Sequence, residues 1–338
     1  MQLSTQSRAV LKQHFQNTAR AFASEVGEQF SATPTVAQTI IKKIVELGGP
    51  FLNSINIVPV SELKGEKVMI GLSARVASRT DTSSTGERVA KNLAALDAKG
   101  YELFATEFDV ALKYALIDSW AKFPNFKDLY MQAVREAIAN DMLQCGWTGT
   151  SAATSTNIGN NPLLQDLNVG WLQQIRTFNS GSQYVNGTVG APVLLGDADF
   201  KNLDVLAHIA KQRILPQFRN RSDFVLLVGS DILAYQEETY FTLTGNTPTE
   251  KAMANGLITR AYAGLPTISP PFFPQSTLLI TPLKNLSIYY QDSSVRRTQK
   301  DHPEKNQIED FNSVNQGYVV EEELATSLVE TVTLYTAP

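Results

Sequence analysis

Cysteine, histidine and long apolar runs are what this 338-residue chain has least of. A single cysteine, Cys145, excludes an intramolecular disulfide framework, so stability must come from packing or from other subunits, and folding inside a cell is the simplest expectation. The three histidines, His14, His208 and His302, lie far apart and form neither an HExxH pair nor a Cys/His ligand set. No metal or cofactor is expected. No run approaches the ~20 apolar residues that cross a bilayer. The opening MQLSTQSRAVLKQHFQ lacks the apolar centre of a signal peptide, so no membrane partner is expected either. An excess of positive charge is also missing: 29 Lys and Arg stand against 33 Asp and Glu, a net charge of −4, which argues against a protein that coats DNA with a basic surface. Nor is there a GxSxG elbow, a GxxxxGK[ST] phosphate loop or a GxGxxG dinucleotide turn.

What is present reads as folded protein. The 43% hydrophobic and 18% charged fractions are those of an ordinary globular chain, long enough for about two domains. From Val10 to Phe30 the apolar residues Val10, Leu11, Phe15, Ala19, Phe22, Val26 and Phe30 recur every three or four positions, which predicts one helical stripe ahead of the breaker at Ser31 to Pro34. Too thin to form a domain, the stripe reads as an arm. Thr35 to Leu47 is a second amphipathic stretch, stopped at Gly48-Gly49-Pro50. Alternation at Val68 to Val76 and at Phe108 to Leu116 predicts two strands of a ribbon, whose polar tip, Ala77 to Lys91, should be mobile. Asn125 to Gln144 is the longest predicted helix, with Phe126, Leu129, Tyr130, Ala133, Val134, Ala137, Ile138 and Met142 on one stripe, Asn125 as cap and Gly146 as stop. Asn186-Gly187 signals a hairpin turn. Beyond Asp199, a helix to Ile214, a buried strand at Phe224 to Val228 and a helix over Asp231 to Phe241 predict a compact α/β unit. Strands are expected at Leu278 to Thr281, Leu286 to Tyr290, Tyr318 to Val320 and Leu328 to Leu334.

Chemistry-bearing residues are sparse. The run Glu321-Glu322-Glu323 could hold a cation or serve acid/base work in a hydrolase, but neighbours on a strand point to opposite faces, which favours a solvated edge. Cys145 on the long helix reads as a small buried apolar residue before it reads as a nucleophile. Arg296-Arg297 could grip an acidic neighbour, although a bare dibasic pair is usually a surface feature. The constellation that stands out is mechanical: an arm and a ribbon that cannot bury their own apolar faces imply neighbouring copies that do.

The runs INIVPVSELKGEK (Ile55 to Lys67), NPLLQDLNVGWLQ (Asn161 to Gln173) and LKNLSIYYQDSSVRR (Leu283 to Arg297) resemble the major capsid proteins of peduovirus-type (P2-like) tailed bacteriophages. So do Asp118 with Trp120, Thr80 to Thr82, Gly264-Leu265-Pro266, Leu278 to Thr281 and Tyr318 to Glu321, in the same order over about Thr33 to Val332. The resemblance implies an α+β chain of HK97 type: an N-arm over 1–50, an extended E-loop β-hairpin within 51–120, a P-domain with a long spine helix over 121–198, an A-domain over 199–285 and a return to the P-domain over 286–338. It implies no catalysis and no cofactor.

The implied function is self-assembly into hexamers and pentamers of an icosahedral head, with an encapsulin-like compartment of the same fold as the alternative. The implied partners are other copies of the chain, an internal scaffolding protein, a maturation protease, a portal protein at one vertex and double-stranded DNA enclosed without specific binding. The place is the virion, assembled in the host bacterial cytoplasm. About 1–30 would be removed on maturation, at a junction that looks like Gln29, Phe30, Ser31 and Ala32. Arg79, Asp81, Glu87 and Arg88 at the ribbon tip, with the basic pair Arg296 and Arg297, are the expected inter-subunit contacts.

Overall fold

In the computed structural model of the chain the described residues are 30–31, 34–67, 99–120, 126–187, 193–196, 200–243 and 261–335, with isolated positions elsewhere. A two-residue strand β1 (Phe30–Ser31) precedes helices α1 (Pro34–Leu47) and α2 (Gly49–Ser54). Strands β2 (Asn56–Val60), β3 (Lys64–Lys67), β4 (Lys99–Glu102), β5 (Phe104–Glu107) and β6 (Val110–Lys113) come next, then helices α3 (Tyr114–Trp120), α4 (Phe126–Thr148) and α5 (Trp171–Thr177). Strands β7 (Tyr184–Asn186) and β8 (Val193–Leu195) lead to α6 (Leu203–Gln212), β9 (Phe224–Val228) and α7 (Ser230–Leu243). The remainder is β10 (Ala261–Tyr262), β11 (Leu265–Ile268), β12 (Leu278–Pro282), β13 (Leu286–Gln291), β14 (Arg296–His302), β15 (Gln307–Val320), β16 (Ser327–Glu330) and β17 (Val332–Leu334).

The long strand β15, 14 residues, organises the larger sheet. Along one edge β5 and β6 keep a single antiparallel register, from Phe104 opposite Gln316 to Lys113 opposite Gln307, interrupted at Phe108 and Asp109. Along the other edge run β13 and β14, and between Tyr290 and Arg296 five residues, with a 3-10 turn at Asp292–Ser294, face only two on β15, so the chain loops out of the ladder there. β2 then adds in parallel to β13, and β1 adds antiparallel to β14. The strand expected over Phe108 to Leu116 is therefore corrected: extended backbone occupies 104–107 and 110–113, and Tyr114 opens a helix. It pairs with β15, while the ribbon base is β3 against β4, Lys64 opposite Glu102. Val68 to Val76 lies outside the described residues.

The second sheet, in the order β10-β11-β9-β12-β16-β7, is buried on both faces. Leu227, Leu279 and Leu328 point toward the core beneath the larger sheet, whereas Leu226, Val228, Leu278, Ile280 and Val329 point toward a second core under α6. Burial on two sides explains why these strands read as continuous apolar runs without alternation. Asn186-Gly187 does not make the expected hairpin: β7 pairs in parallel with β16, and β8 with β17.

Helix α4 runs straight through the expected stop at Gly146. A Cβ there would come within 2.4 Å of the Trp171 ring, so the glycine serves close packing of α5 on α4 and not termination. The helix buries Val134, Ile138, Met142, Leu143 and Trp147, while Leu129, expected on the buried stripe, is 59% exposed. Trp147 and Trp171 stand edge to face with ring centres 4.9 Å apart, and Phe273 and Tyr318 close on them at 5.0 and 5.2 Å. Both indole N–H groups find backbone carbonyls, Trp147 donating to Pro271 O at 3.2 Å and Trp171 to Ser287 O at 2.9 Å. That satisfies their polar edges in the core.

Candidate assembly and processing surface

Two regions flagged separately in the sequence meet in the fold. Phe30 lies opposite Arg297 and Ser31 opposite Arg296, so the expected junction is the outermost strand of the large sheet and rests on the dibasic pair. Gln29 and Ala32 lie outside the described residues. Strand geometry then separates the two arginines. Arg296 is exposed; Arg297 turns inward, donating from Nε to Asp310 Oδ1 at 2.9 Å and from Nη2 to Asp310 Oδ2. Gln299 Nε2 adds a third bond to the same carboxylate at 3.1 Å. With side chains only 13% and 10% exposed, this is a buried bidentate pair, which corrects the surface expectation for Arg297.

The first two turns of α4 close over that pair. Met131 Sδ lies 3.7 Å from Arg297 Nη2. The Tyr130 phenol is pushed above its usual range by burial and by the Asp310 carboxylate. Arg135 is pushed down by burial and by the charge of Arg297. Removing one member of such a pair strands a charge, so Asp310→Ala should cost about 3–5 kcal/mol. Arg297→Met together with Asp310→Leu should recover most of that loss. Urea unfolding of the subunit measures both, and equal losses in the single and double variants would contradict the burial argument.

The ribbon contributes exposed polar groups. Arg79, Glu87 and Arg88 are exposed, and Asp81 lies outside the described residues. Among the described residues no ion pair joins Arg79, Glu87 or Arg88 to the dibasic pair. At the ribbon base the Tyr101 ring sits 5.1 Å from that of Tyr289, tying β4 to the large sheet. Apolar groups missed in the sequence also face solvent: Val205 and Ile209, one turn apart on the outer side of α6, and Ile158, 72% exposed in the loop after α4. For Val205 and Ile209 the sequence signal was an apolar residue off the helical stripe, and for Ile158 an apolar residue within a polar loop.

The acidic run does not converge. Glu321 accepts from Ser287 Oγ at 2.5 Å and Tyr289 Oη at 2.9 Å, Glu322 caps Leu324 N at 3.3 Å, and Glu323 is buried elsewhere. Burial pushes the Cys145 thiol up to about 12, far from a thiolate nucleophile. His208 is exposed on α6, His302 lies 3.1 Å from Glu309, and His14 lies outside the described residues. Among the described residues no three His, Cys, Asp or Glu side chains gather as a metal site, and no helix is long and apolar enough to cross a membrane.

A long helix laid against a sheet, a paired ribbon leaving it and an α/β unit beyond define the HK97-type class of phage shell subunit. The fold is that of the cyanophage A-1(L) capsid, matched with a TM-score of 0.54 at 14% identity over 84% of this chain and 93% of that one. Within that class the chain belongs to the P2 family of phage major capsid proteins, whose family model matches residues 10–332. It is 34% identical over 321 residues to the capsid protein of Escherichia phage P2, covering 92% of this chain and 89% of the relative. It is 30% identical to the major capsid protein of Serratia phage KSP20, covering 93% and 92%. The satellite phage P4 procapsid that includes the size determination (Sid) protein superposes with a TM-score of 0.76 at 32% identity, over 96% of this chain and 98% of that one. The chain is accordingly a shell protein of a phage virion.

Proposed function

We propose that this chain forms the hexamers and pentamers of an icosahedral head that encloses double-stranded DNA without binding it specifically, and that it has no catalytic activity. Copies assemble in the host bacterial cytoplasm around an internal scaffolding protein, with a portal at one vertex, and a maturation protease trims the arm near Phe30–Ser31. The segments 1–50, 51–120, 121–198, 199–285 and 286–338 act as arm, ribbon region, spine-helix domain, axial domain and return. The observation that carries this reading is kinship with the phage P2 capsid protein along 92% of the chain. Apolar Val205, Ile209 and Ile158, left facing solvent on one copy, support burial between copies. A net charge of −4 suits a lining that must not grip phosphate.

Electron microscopy of the chain expressed with and without scaffold tests assembly, and the subunit's intact mass and the contents of particles purified from phage-producing cells test processing and packaging. Closed shells and a subunit lacking about thirty residues are expected. A clean monomer would overturn the assembly reading, an untrimmed mass the processing reading, and enclosed protein in place of DNA the packaging reading.

A further inference from the structure

An open groove of about 870 Å³ lies between α1, α4 and the facing parts of β14 and β15. Its walls are apolar, with Val36 and Ile40 from α1, Val134 and Ile138 from α4, and Val295 and Val314 from the sheet. Val36 and Ile40 pack against the core yet remain only partly buried, so the groove leaves apolar surface uncovered. One end carries an excess of cations: Arg296 is exposed there, and Arg135 is half-buried between the Arg297 charge and the Asp128 carboxylate, which also lines the groove, with no hydrogen bond or ion pair to any described residue.

We propose that this groove seats residues 10–29 of the same chain. The segment leaves the fold at the right place: β1 is paired to Arg296 and Arg297, and Thr35 and Val36 follow it into α1, all four residues lining the groove. Its stripe of Val10, Leu11, Phe15, Ala19, Phe22 and Val26 is apolar at helical spacing. As a helix that stripe spans ~24 Å, against ~21 Å for α1 and ~21 Å for α4 from Asp128 to Met142. Charge also matches by position. The stretch 21–29 next to β1 contains Glu25 and Glu28 and no basic residue, and once seated it would meet Arg135 and Arg296, which outnumber the Asp128 carboxylate beside them. Tethering through β1 keeps the segment at a high local concentration, so modest burial is enough to hold it. While it is docked the apolar walls are covered, and its removal uncovers them. The docking requires neither a shell nor cleavage, so it stands or falls separately from the proposed assembly.

Hydrogen exchange of the full-length chain tests this. Phe22→Asp should speed exchange of amides in 34–47 and 128–142 by about tenfold while leaving 224–228 and 278–282 unchanged. Arg135→Glu should do so partially, and Glu28→Arg added to Arg135→Glu should restore protection. Protection should not change on dilution. Unaltered exchange in Phe22→Asp and Arg135→Glu overturns the proposal. So does protection that fades on dilution, which would make a second copy the occupant, and so does protection that appears only when another protein is added.

Discussion

Replacing residues 78–88 by a tight turn should leave the thermal melt of the isolated subunit unchanged and abolish shell formation. The described positions of that stretch, Arg79, Thr80, Ser83, Glu87 and Arg88, are all exposed, so their removal takes nothing from either core. The two-stranded base, Lys64–Lys67 against Lys99–Glu102, lies outside the deleted stretch and keeps its ladder and the Tyr101–Tyr289 contact. The exposed Lys64–Glu102 pair at that base contributes at most about 1 kcal/mol. A two-stranded ribbon is only marginally stable by itself in water, so under the proposed assembly its tip would be held by a neighbouring copy. Calorimetry of the subunit and microscopy of the assembly mixture separate the two effects. A subunit that melts earlier would mean that the stretch belongs to an internal core.

Trp171→Ala should be the most damaging single change to the subunit itself, costing about 3–5 kcal/mol in urea unfolding. The side chain is fully buried, fills the space that Gly146 leaves open on α4, and stacks edge-on against Trp147 and Tyr318. Its removal also strips the Ser287 carbonyl of its indole partner. Trp171→Phe keeps part of the ring contact and loses the N–H, so an intermediate loss is expected. A cost below about 1 kcal/mol for the alanine variant would show that the aromatic cluster collapses without strain.

Local pattern carried much of the fold. Helix α1 was legible because Ala37, Ile41, Ile44 and Val45 recur at helical spacing, and all four are buried. The buried strand Phe224–Val228 and the helix after it were legible from an unbroken apolar run bounded by polar residues. Spacing could not give the hairpin of β14 and β15. RRTQKDH and QIEDFNS are mostly polar, with only Ile308 and Phe311 apolar and no alternation to mark a strand, so nothing in their spacing set the register. The same limit applies to Gly146, whose role depends on a tryptophan that sequence spacing could not place against it.

By itself, the sequence determined the order of helices and strands, since amphipathic period is a local property, and the long runs it shares with P2-like capsid proteins implied an α+β shell subunit. Only the tertiary structure decided that Phe30–Ser31 lies on Arg296–Arg297, that one arginine of the pair is buried on Asp310 while the other faces solvent, and that a groove opens beside them. Those facts arise from strand register and side-chain alternation, between segments more than 260 residues apart for β1 on β14 and between the paired strands β14 and β15 for Arg297 on Asp310, which no local pattern encodes.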